Sequence, residues 1–107
     1  MRGFYKMEYV GRAGHSVGAM AFIDGKIAGL DVGGAVYEGT YSEIGGGVSG
    51  TVALSFPDGG TLVTGANVPK GTPPMNIPFQ MAKGASHASL QTPTGPVTVE
   101  LTKISDL

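Results

Sequence analysis

The sequence predicts an all-β domain of about eight short strands, spaced as in an up-and-down barrel or a sandwich. Three observations carry this. Apolar and polar residues alternate with the period of two expected of a strand that faces a core on one side. Nineteen of the 107 residues are glycine, far above the usual ~7%. No stretch of useful length shows the 3.6-residue period of a helix. Glycine with proline also marks disorder, but here the glycines fall between β-branched and aromatic runs, where turns are needed.

The elements follow in order. In residues 3–10, Tyr5, Met7 and Tyr9 lie on one side, with Lys6 and Glu8 on the other. Residues 17–23 are apolar on both faces apart from their small residues, as in a strand covered inside by a core and outside by a partner subunit. Asp24-Gly25 is the strongest hairpin signal, since a type I′ turn needs the positive φ that glycine tolerates. Residues 26–30 form the next strand, and Gly33-Gly34 separates it from residues 35–41. After Gly45-Gly46-Gly47 comes residues 48–56, where Val48, Val52, Leu54 and Phe56 oppose Ser49, Thr51 and Ser55.

Pro57-Asp58-Gly59-Gly60 reads as a turn. Residues 64–74 hold Pro69, Pro73 and Pro74, which lack the donor a ladder needs, so a loop or edge crossing is expected. Residues 76–83 set Ile77, Phe79 and Met81 on one face. Residues 85–90 form a weaker strand. Pro93 to Pro96 links it to residues 97–104, where Val97, Val99 and Leu101 oppose Thr98, Glu100 and Thr102.

A chain of 107 residues suits one domain, residues 1–107, with a modest core. Charged residues make up 14%, against the usual ~25%. A weakly charged face is therefore expected to pair, giving self-association. The net charge is -1 and the seven Lys and Arg residues are scattered, so no basic patch for a phosphate backbone is expected and no nucleic acid partner. Without cysteine there are no disulfides or thiolate metal sites, which is compatible with a reducing compartment. No run approaches the ~20 apolar residues of a membrane-spanning helix, and no apolar run follows Arg2 and Lys6 as in a secretory leader. No membrane association is expected, and the expected location is the cytoplasm.

The chain offers little chemistry. His15, in an expected loop, and His87, in the weak strand, show no metal-ligand spacing. Asp24, Asp31, Glu38 and Glu43 invite comparison with paired acid–base carboxylates, but Asp24 and Asp31 suit turns and no nucleophile or base partner is visible. Gly45-Gly46-Gly47 lacks the lysine and the following helix of a phosphate-binding loop. No catalytic residue, metal or cofactor is expected, and the chain is read as a non-enzyme. Tyr5 and Tyr9 share strand parity, as do Tyr37 and Tyr41. Tyr5, Tyr9 and Tyr37 are the candidates for lining a ligand cavity, with ring surface and a polar tip. Phe4, Phe22, Phe56, Phe79 and the methionines are available to fill the interior, while inward glycines would leave room for a small apolar cavity.

Gly3-Phe4-Tyr5, Gly18, Asp24-Gly25, Gly29, Asp31 and Tyr37-Glu38-Gly39 together resemble the GrlR family, the negative regulators of type III secretion. The resemblance covers the first third of the chain. It implies an eight-stranded antiparallel lipocalin-like barrel that dimerises in the cytoplasm and acts by binding a protein partner. The best-known member of that family holds a transcriptional activator through an acidic loop after the fourth strand. Here that stretch reads Ser42-Glu43-Ile44-Gly45-Gly46-Gly47, with a single acid. Tyr41, Ser42, Glu43 and Ile44 are the expected partner contacts. The alternative is a carrier that holds a small apolar molecule in the barrel.

Overall fold

A computed structural model describes residues 1–107, and the alternation becomes ten strands. They are β1 (Gly3–Gly11), β2 (Gly14–Ile23), β3 (Lys26–Asp31), β4 (Val36–Ile44) and β5 (Gly47–Ser55), then β6 (Gly60–Thr61), β7 (Asn67–Val68), β8 (Met75–Met81), β9 (His87–Thr92) and β10 (Gly95–Ser105). There is no helix, hence none long and apolar enough to cross a membrane.

Eight strands form one antiparallel sheet in the order β8-β5-β4-β3-β2-β1-β10-β9. It curls until its edge strands, β8 and β9, lie side by side without a ladder between them. The result is a nearly closed, lipocalin-like barrel within a molecule 37 Å long. A sandwich would need a second large sheet, and the only other pairing is the short hairpin of β6 and β7. The seam falls where proline allows it: β8 contains Pro78, which has no N–H to donate and is tolerated on an edge strand.

Parity directs the side chains as the alternation requires. Met7 and Tyr9 in β1, Met20 and Phe22 in β2, and Leu101 in β10 are buried inside. Inside the wall, Gly18, Gly29, Gly39 and Gly50 occupy inward positions on four successive strands. A Cβ on Gly39 would collide with the Thr51 carbonyl, so glycine there permits the close approach that bends a sheet into a barrel. The β2–β3 turn has Asp24 at φ 50° and Gly25 at φ 81°, both positive as a type I′ turn demands.

Several expectations are corrected. β4 does not end at Tyr41 but continues to Ile44, so Tyr41, Ser42, Glu43 and Ile44 belong to a strand laddered to β5 rather than to a loop. The turn itself is Gly45-Gly46, at φ 60° and 83°, whose positive φ tightens the hairpin to two residues. His15 lies in β2, paired with Val10, because that strand starts at Gly14. Phe4 points outward and is partly exposed, since it has the opposite parity to Tyr5. Residues 64–74 are mostly without strand, as expected of their prolines, yet Asn67 and Val68 pair with Thr61 and Gly60.

Candidate functional site

The interior is not solid. A cavity of about 100 Å³ runs between the strands, and its exposed wall is wholly apolar. Met7, Met20, Met75 and Met81 line it, together with Ala88 and the rings of Tyr9 and Tyr37. Methionine is unbranched and adapts its shape to a neighbour, so such a wall can yield to an occupant. For scale, an engineered apolar cavity of about 150 Å³ stays dry and binds benzene.

One end of the barrel is plugged. The excursion between β5 and β8 folds back so that Leu62, Val63 and Thr64 join the cavity wall. Ala13 N–H donates to the Val63 carbonyl at 2.8 Å, pinning the plug to the β1–β2 turn. Thr64 is buried, and its hydroxyl bonds that of Thr94 at 2.8 Å.

Beside this end sits a buried carboxylate. Asp31, at the end of β3, is 5% exposed and has no cationic partner. Hydrogen bonds hold it instead. Its Oδ1 accepts from Gly33 N–H at 2.8 Å and Ala35 N–H at 3.0 Å. Its Oδ2 accepts from the hydroxyls of Tyr9 and, at 2.8 Å, Tyr37. The two hydroxyl oxygens lie 2.8 Å apart, each with its one proton directed at Asp31. Burial pushes the Tyr37 phenol well above its ordinary pKa, and the bond to Asp31 and its charge add to the effect. The cluster ties β1, β3, β4 and the 31–35 turn together with no buried polar atom left unpaired. With its hydroxyls turned to Asp31, it gives the cavity only ring faces.

The other end opens into a recess of about 370 Å³. Tyr5, Glu43, Lys83 and Lys103 stand around it, and Met81 and Leu101 belong both to this recess and to the cavity beneath. Glu43 meets the amino group of Met1. Lys103 pairs with Asp106, which raises the lysine pKa and lowers that of the acid, the hydrogen bond being the main cause in both. Lys83 makes no ion pair. Its stem lies over the β4–β5 turn, where a Cβ on Gly46 would be 3.0 Å from Lys83 Cδ.

The sequence-predicted residues therefore separate. Tyr9 and Tyr37 line the cavity, Tyr5 lines the recess, and Tyr41 is a half-buried inward residue of β4. The rings of Tyr5 and Tyr41 each stack edge-on against Phe22 at 5.4 Å. Ser42 and Ile44 face outward, while Glu43 turns to the recess. Asp31 does make the local turn its residue type suggested, through the Gly33 N–H. Its tyrosine partners lie 22 and 6 residues away and carried no local signal of the pairing. Lys83 and Lys103 were not singled out. Lys103 has the inward parity of Leu101, which marks it as an end-of-barrel residue. No known family model matches the chain, and no curated protein matches it.

Proposed function

We propose that this protein is a non-enzymatic binding protein that carries a small apolar molecule inside its barrel. One observation carries the proposal: the barrel holds a cavity of about 100 Å³ whose exposed surface is wholly apolar. An apolar void of this kind excludes water and favours an apolar guest. The plug stands at one end of this cavity and the recess adjoins it at the other. Titration of the labelled chain with benzene, followed by NMR, tests this. Saturable shifts are expected at residues around the cavity, such as Ala88 and Leu54, and should vanish in Ala88→Phe, which fills the space. Unsaturable or absent shifts in the unsubstituted chain would remove the proposal.

The regulatory reading implied by the resemblance is a second proposal. What supports it is the β4–β5 hairpin, where Ile44 is 71% exposed next to the outward Ser42. An isolated large aliphatic side chain at a hairpin tip suits a protein contact. A homodimer and a cytoplasmic location, the latter suggested by the cysteine-free sequence, belong to the same proposal.

A further inference from the structure

We infer that the ligand is a short amphipathic anion, a monocarboxylate with a hydrocarbon tail, seated with its tail in the cavity and its head in the recess between Lys83 and Lys103. This inference rests on the carrier reading and names its ligand class. The tail must be apolar throughout, because the cavity surface offers no polar group and a buried polar group without a partner is unfavourable. The tail must also be short. A cavity of about 100 Å³ is smaller than the ~150 Å³ that accepts six-carbon benzene, which suits about four buried chain carbons, with any further carbon passing Met81 toward the recess. That length favours a free acid over the acyl chain of a lipid.

The head is decided by the open end. Met81 and Leu101 are shared by cavity and recess, so they form the septum between them, and the flexible thioether of Met81 is the part able to step aside. Beyond the septum, Lys83 and Lys103 are the lysines of the recess and Glu43 is its only acid. Glu43 is already engaged by the amino group of Met1. Lys83 has no partner, and Lys103 has only Asp106, which lies beyond the end of β10. A carboxylate emerging past Met81 meets the unpaired ammonium of Lys83 and can compete with Asp106 for that of Lys103, whereas an ammonium head meets the unpaired Lys83 charge and an alcohol gains no charge attraction.

The experiment is calorimetric titration of the full chain at low salt with hexanoate, hexan-1-ol, hexylamine and benzene. Hexanoate is expected to bind most tightly of the three six-carbon chains and hexylamine least. Lys83→Ala and Lys103→Ala should each weaken hexanoate roughly two- to fivefold, the range of an exposed ion pair, and leave hexan-1-ol unchanged. Added salt should erode the preference. Equal binding of hexanoate and hexan-1-ol, a preference for the amine, or lysine variants that bind hexanoate unchanged would each overturn the inference. If hexan-1-ol and benzene bind without any charge preference, the carrier reading survives and the anionic ligand does not. If none of the four saturates, both fall.

Discussion

Asp31 is the side chain on which most of the polar order of the barrel depends. A buried carboxylate without a cation is costly unless donors replace its lost hydration, and here two backbone N–H groups and two phenols do so. The arrangement makes stability fall at alkaline pH. Burial, and then the bond to Asp31 and its charge, raise the folded-state pKa of Tyr37, while an unfolded tyrosine titrates near 10. The protonated phenol is the favoured folded form, so its contribution is complete below about pH 10. Above that it is lost as pH rises, since the unfolded chain releases the proton and the folded chain keeps it. Each further pH unit should cost about 1.4 kcal/mol. Urea unfolding between pH 8 and 11.5 checks this: above about pH 10 the slope of the unsubstituted chain should exceed that of Tyr37→Phe by about 1.4 kcal/mol per pH unit. Equal slopes in the two proteins would show that the phenol does not hold its proton in the fold.

The elements differ in how far the sequence revealed them. β1, β5 and β10 were legible because one face is wet and one dry, so alternation reports their orientation directly. The Asp24-Gly25 turn was legible from its residue types. The end of β4 was not, since Ser42-Glu43-Ile44 places its large aliphatic outward and its acid inward, the reverse of the pattern read along Tyr37 to Tyr41. The Tyr9–Asp31–Tyr37 cluster was hidden for a different reason: strand register brings together residues 22 and 6 positions apart, and no local pattern encodes that. The same hairpin carries an element-scale prediction. If Ile44 anchors a protein partner, Ile44→Asp should reduce retention of that partner on the immobilised chain by roughly thirtyfold, the loss typical of a hot-spot residue. The melting temperature should hardly change, because Ile44 is exposed. Retention of the same protein at an unchanged level would place the contact elsewhere.

At the scale of the molecule, the outer wall is as unusual as the interior. Ala19, Ala21 and Ala28 form a patch of small side chains on β2 and β3, adjoined by Leu30, Phe4 and Val36. Leu30 is 62% exposed, and Phe4 and Val36 are also exposed. Nothing within the chain covers this face, although residues 17–23 have the composition of a strand covered on both sides. Charges flank it on opposite sides, Glu38 on β4 and Lys6 on β1. A two-fold axis in the plane of the patch, between β2 and β3, exchanges the β1 and β4 sides. It would therefore bring each Glu38 over the part of the other copy that carries Lys6, which already pairs with Glu8 at 2.7 Å, so the apolar face rather than the charges would have to hold the two copies together. A stable pairing needs about 800 Å² from each partner, and small alanines let two sheets approach closely. Sedimentation equilibrium should give the mass of two chains at tens of micromolar, and Leu30→Glu, which puts two like charges near the axis, should give the mass of one. Because Leu30 points outward, that variant should keep its benzene-induced shifts. A single-chain mass for the unsubstituted protein, or an intact dimer in Leu30→Glu, would reject this face as the contact.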